Sequence, residues 1–174
     1  AVLAEVTQWL KEEHGILCLG SLGFENAYAL AMRQDAAAAR GIRTVADLVA
    51  FSPEMKIGGD YEFFQRPEWR ALVDAYGLSF DEEISFDSTL MYTAVAEGQV
   101  DVISAFSSDG RIAAFDLTVL EDTKQVLPPY DAILLLSPRA AGNEELVGKL
   151  KALVGGISAE MMRHANMLVD VEKR

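Results

Sequence analysis

Apolar runs of strand length alternate with helix-period stripes along this whole chain, and that alternation limits the possible folds more than any other feature. Val2, Leu3, Val6, Trp9 and Leu10 make one helical face over residues 2–14, closed by Gly15. ILCLG at 16–20 follows as a strand, and YALAM at 28–32 reads as a second. Thr44 opens a helical turn in TVADLVAF, with Asp47 standing where a capping box needs an acid. MKIGG at 55–59 is a strand ending on two glycines. Residues 61–76 then read as a helix stopped by Gly77 and interrupted by Pro67. Residues 88–97 are a helix that feeds the strand QVDVISAF at 99–106, and LTVLED and DAILLLS are further strands. Asn143 and Ser158 are expected to cap the last two helices. Strands interleaved with helices in this way predict an α/β fold with a mainly parallel sheet.

Two stretches look like crossings between lobes. GSLGF at 20–24 puts two glycines after a strand, and QVLPPY at 125–130 turns the chain stiffly with two prolines. The expected division is residues 1–24 with 126–174 in one lobe, and residues 25–125 in the other.

Composition removes several classes of function. A formal net charge of −12 disfavours nucleic acid and anionic membranes, which select basic patches. No apolar run approaches the roughly 18 residues of a membrane span, and no basic segment followed by an apolar one marks a signal peptide. The single cysteine, Cys18, excludes an internal disulfide and reads as a buried, inert thiol. No phosphate-cradling glycine motif, nucleophile elbow or metal-ligand spacing is present, so no cofactor and no metal are expected. His14 and His164 read as surface or helix-end residues, and the acidic pairs at 12–13, 82–83 and 144–145 as solvated faces or helix starts. The chain does not read as an enzyme.

What remains is a set of aromatic and cationic residues at element ends. Tyr28 follows the first crossing, Arg66 lies past the GGD that closes a strand, Phe106 ends another strand, and Tyr130 sits in the second crossing. In open α/β sheets ligands collect at strand ends, where these four can converge. Taken singly, a strand-end aromatic is most often core, and a lone arginine is most often a surface residue. Ser107, Ser108 and Asp109 are expected to cap the helix beginning at Gly110.

NAYALAMR, MKIGGDYEFFQRPEW, MYTAVAEGQVDVISAFSSDGRI and LTVLED followed by PPYDA together resemble the substrate-binding proteins of osmoprotectant ABC importers of the quaternary-amine uptake family. The resemblance runs over nearly the whole chain and implies a periplasmic-binding-protein fold of the second type, closing on its ligand like a clamp. It implies a binder of glycine betaine, choline or carnitine that works with an ABC permease outside the cytoplasm. Tyr28, Phe106 and Tyr130 would be faces of an aromatic cage, and Arg66 would hold a carboxylate. A trimethylammonium group donates no strong hydrogen bond but is attracted to ring faces, and a guanidinium grips a carboxylate through paired bonds.

Phe106 stands where the family commonly has tyrosine, which keeps a π face and removes a hydroxyl. Family members also carry further βα units ahead of the point where this chain begins. The resemblance therefore implies one complete lobe plus part of the other, with a possible homo-oligomer through the incomplete lobe. Two other readings stay open: an effector-sensing domain of a bacterial transcription regulator, and a truncated lobe that folds but binds nothing.

Overall fold

The computed structural model, which describes residues 2–173, arranges the alternating pattern as two sheets. In chain order the elements are α1 (Val2–His14), β1 (Leu17–Glu25), β2 (Tyr28–Arg33), α2 (Gln34–Arg40), α3 (Val45–Leu48), β3 (Lys56–Asp60), α4 (Pro67–Tyr76), β4 (Glu82–Phe86) and α5 (Ser88–Ala96). There follow β5 (Val102–Phe106), α6 (Gly110–Ala114), β6 (Leu117–Val119), β7 (Asp131–Leu136), α7 (Pro138–Ala141), α8 (Glu144–Lys151) and α9 (Ala159–Asn166). A five-stranded sheet has the order β4-β3-β5-β2-β6, and β1 pairs with β7 in a separate antiparallel ribbon.

In the larger sheet β3 is parallel to β4 and β5, whereas β2 is antiparallel to both β5 and β6. Strand direction is thus mainly parallel as expected, with β2 alone reversed. The cause is connectivity. β2 enters directly from β1 and β3 starts at the end where β2 finishes, while β4, β5 and β6 are each reached through a helical connection that carries the chain back to the end where the preceding strand began.

Residue alternation distributes the core to both faces of this sheet. Leu30, Met32 and Val102 pack with Val45, Leu48, Trp69, Leu72 and Tyr76 on one side. Ala31, Ile103 and Ala105 pack with Met91, Tyr92, Val95 and Ile112 on the other. Helices cover both faces, and their ends follow the sequence signals. Thr44 and Asp47 form the capping box, and Asp87, Asn143 and Ser158 cap α5, α8 and α9.

Three local expectations are corrected. The helix expected over 61–76 begins only at Pro67, because proline suits the first helical position and holds Arg66 extended; a 3-10 turn, Phe63–Gln65, precedes it. The strand expected at 16–20 does not end there: β1 continues through GSLGF to Glu25, with register shifts eased by Gly20 and Gly23 at φ 124° and 109°. Glu82 and Glu83 are exposed, as a solvated face requires, and lie in edge strand β4, where Glu82 pairs with Lys56 at 2.7 Å and Glu83 accepts from Trp69 Nε1 at 3.2 Å. Cys18, expected to be buried, is half-buried.

Among the described residues, every buried apolar side chain except Leu136 lies between Ala27 and Leu120. The part built from the two ends of the chain has almost no core of its own, and Val2, Trp9, Leu146, Leu153, Met161 and Val169 are exposed on it. A two-stranded ribbon is marginal by itself in water. No helix among the described residues is long and apolar enough to cross a membrane.

Candidate ligand site

Strand register brings the first two predicted residues together. Tyr28 opens β2 and Phe106 ends β5, and the antiparallel ladder pairs them directly. Their rings stand 4.9 Å apart at 33°. Phe63, fully buried, backs Tyr28 at 5.3 Å and continues to Trp69 at 5.4 Å. The GGD that closes β3 makes room for these rings: a Cβ on Gly59 would stand 2.9 Å from the Phe64 ring and 3.1 Å from that of Phe63. The Tyr28 hydroxyl donates to Asp60 Oδ2 at 3.3 Å. Burial, reinforced by the Asp60 charge, pushes that phenol up, so it remains a neutral donor.

Arg66 joins this pair. Its guanidinium carbon lies 5.4 Å from the Tyr28 ring centroid, and its Nη2 donates to Glu62 Oε2 at 2.6 Å. Its Nε is buried and meets no acceptor among the described residues. Tyr130 stands apart from the cluster. It is 48% exposed and stacks on no other ring among the described residues. Its backbone is fixed nonetheless: Asn26 N donates to Tyr130 O at 3.1 Å, and Tyr130 N donates to Glu25 Oε2 at 3.4 Å. Tyr28 is therefore a neighbour of both Phe106 and Arg66, and Tyr130 is tied to the start of β2 through its bonds with Glu25 and Asn26.

The loop after Phe106 is held by groups that sequence reading did not single out. Tyr92, buried in α5, accepts from Phe106 N–H at 3.2 Å, and Arg111 stacks on its ring with the guanidinium carbon at 4.1 Å. Burial pushes the Tyr92 phenol well up. Asp109 caps α6, as expected, by accepting from Arg111 N. Ser107 and Ser108 do not cap. Ser107 Oγ donates to Glu25 O at 2.8 Å and accepts from Ala27 N at 3.0 Å, while Ser108 Oγ donates to Asn26 Oδ1 at 2.7 Å. Both serines pin the loop to residues 25–27, between β1 and β2. No periodic signal marks them, because their partners lie some 80 residues away in the chain.

Asp109 also makes this loop acid-sensitive. Burial opposes its charge, but two bonds from the Arg111 guanidinium, at 2.9 and 2.6 Å, and one from the backbone outweigh that and hold the carboxyl below its usual range. A depressed carboxyl contributes stability that is present above the unfolded-state value, about 3.9, and lost as pH falls through the folded one. Urea midpoints at pH 6 and pH 3 should show the Asp109→Asn variant starting lower and losing less on acidification than the wild type.

A cavity of about 700 Å³ opens beside these groups, with Tyr28, Ser107, Asp122, Pro129 and Arg163 among its lining. Of the four predicted residues, Tyr28 alone lines it. Its walls carry acids, Glu25, Glu121 and Asp122, together with the one arginine. No group of residues able to hold a metal ion occurs among the described residues.

Comparisons with known proteins agree with this architecture. Residues 2–174 match the family described as the substrate binding domain of ABC-type glycine betaine transport systems. The carnitine transport binding protein OpuCC of Listeria monocytogenes is 33% identical over 97% of this chain and 56% of its own length. An ergothioneine transport permease/ergothioneine binding protein, EgtU of Helicobacter pylori, is 30% identical over 94% of this chain and 30% of its own length. A crystal structure described as a glycine betaine/carnitine/choline ABC transporter superposes with a TM-score of 0.93 at 30% identity, covering 99% of this chain and 64% of that one. The chain thus spans about half the length of the curated carnitine-binding relative. Its mixed α/β arrangement is that of type II periplasmic binding proteins, of which it holds a part. The family is one of transport binding proteins and not of enzymes. This chain belongs to the substrate-binding domain family of ABC-type glycine betaine transport systems.

Proposed function

We propose that this chain forms part of the receptor for a quaternary-ammonium solute such as glycine betaine, choline or carnitine, and that Tyr28, Phe106, Tyr130 and Arg66 contact it. The observation that carries this reading is a cation already resting on an aromatic face: the Arg66 guanidinium carbon lies 5.4 Å from the Tyr28 ring, which itself packs against Phe106 at 4.9 Å. A trimethylammonium group draws on the same attraction, about 0.5–2 kcal/mol per desolvated ring. The unpartnered, buried Nε of Arg66 supports a role on a ligand carboxylate, since an unsatisfied buried donor costs about 1–3 kcal/mol.

In the same reading residues 25–125 are one lobe, residues 1–24 with 126–174 are part of the other, and Tyr130 reaches the cage when the lobes close. The partner is an ABC permease at the outer face of the membrane. The sparse core of the chain-end part gives a second reading some weight, a lobe that folds but does not hold ligand by itself.

Isothermal titration of glycine betaine, choline and carnitine, with light scattering on the same sample, separates the two. The receptor reading expects saturable binding, weakened about fivefold to thirtyfold by Phe106→Ala or Tyr130→Ala. No heat at millimolar ligand from folded protein would leave only the second reading. A dimer in scattering would mean that a second copy covers the exposed apolar face.

A further inference from the structure

α9 holds the segment that presents Phe106. Arg163 Nε donates to Ser107 O at 2.6 Å, and Asn166 Nδ2 donates to Ser108 O at 2.8 Å. These are the two carbonyls directly after the ring-bearing residue, and one turn of one helix engages both. On the other side Tyr92 holds the Phe106 N–H, and Ser107 N donates to Ala27 O at 2.9 Å. The contact is close as well as polar. A Cβ on Gly110 would stand 2.6 Å from Asn166 C and Met167 Cα, so α6 and the end of α9 meet backbone against backbone. Arg163 is half-buried and meets no carboxylate within 4.0 Å among the described residues; its guanidinium donates to the loop.

We infer that Arg163 and Asn166 are positioning residues for the Phe106 ring, so that solute affinity is set from the C-terminal helix by groups that do not touch the solute. This rests on the ligand-site reading above. The physical basis is restraint. Phe106 is the last residue of its strand, and its side-chain direction depends on how the following peptide planes are held. Release of the two carbonyls lets Ser107 and Ser108 sample other conformations, and the ring then has to be ordered again when solute binds.

The test is a double-mutant cycle in the full chain, read by titration calorimetry with glycine betaine and with choline. Arg163→Ala and Asn166→Ala should each weaken both solutes alike, by about fivefold. In a Phe106→Ala background the same changes should alter affinity by less than about twofold, because the ring through which they act is gone. Equal losses in both backgrounds would overturn the inference. So would a loss of glycine betaine binding with choline spared, which would place Arg163 on the solute carboxylate.

Amide hydrogen exchange gives a second readout that needs no solute. Asn166→Ala should speed exchange at Ser107 and Asp109 while leaving Ile103 and Ala105 in β5 unchanged. If the wild type binds neither solute, the ligand-site reading fails and exchange alone decides the positioning role. Unchanged exchange at Ser107 and Asp109 would then end it.

Discussion

Phe63→Ala should be the most damaging single change at the site, although Phe63 touches no solute in the proposed arrangement. The side chain is fully buried and joins two systems: the helix-facing core through Trp69 and the candidate site through Tyr28. Truncating a buried phenylalanine costs about 3–5 kcal/mol through lost transfer energy and the cavity left behind. For a domain of this size each kcal/mol lowers Tm by about 2–4 °C, so a fall of about 10 °C is expected in a thermal melt. The site should suffer as well. Tyr28 is held between Phe63 and Phe106, and removal of one support lets its ring lean into the vacated space. Phe63→Leu keeps most of the volume and should cost under about 1.5 kcal/mol. A melt in which the alanine variant matches the leucine variant would show that Phe63 is not the keystone its contacts indicate.

Phe63 also shows where sequence reading reached and where it stopped. MKIGGDYEFF marks a strand closed by two glycines, and Gly77 marks the end of the helix after it, whose start the sequence puts six residues too early. The purpose of the second glycine, which is to admit the Phe63 and Phe64 rings against β3, needs the fold to be seen. Local signals sufficed for the capping box at Thr44, for α1 and for the caps of α8 and α9, because each acts within one helical turn. They did not suffice for β4, where two adjacent glutamates hide an edge strand whose carboxylates answer Lys56 and Trp69. At the site, Tyr28 and Phe106 were legible as strand-end aromatics, and ladder register makes them neighbours. The supports of the Phe106 loop were not legible. Arg163 and Asn166 lie more than 50 residues downstream, and no period or motif ties them to Ser107 and Ser108. Resemblance of residues 26–33 and 98–112 to family motifs pointed to the ring positions and was silent on what holds them.

Gly110→Ala sets two physical effects of opposite sign against each other. In a helix alanine is ordinarily favoured over glycine by about 0.5–1 kcal/mol. Gly110 is helical and has no positive φ, so local propensity alone predicts a more stable protein. Packing predicts the reverse. The added Cβ would stand 2.6 Å from Asn166 C and Met167 Cα and closer still to Met167 N, against the roughly 3.5–4.0 Å of a comfortable carbon contact. Every one of those atoms is backbone, so relief requires the end of α9 to move away as a unit. That movement strains the Arg163 and Asn166 bonds to the Phe106 loop. Packing should win, with a net loss of about 1–3 kcal/mol, and proteolysis should become faster within residues 159–171. Gly148→Ala supplies the control. It is also helical, in α8, and a Cβ there meets nothing within 4 Å, so it should leave Tm unchanged or raise it slightly. If both variants were stabilised alike, α9 would not be seated on α6. If only Gly110→Ala lost stability, and lost solute affinity with it, the backbone contact between α6 and α9 would be a structural requirement of the site that neither ring nor arginine reveals.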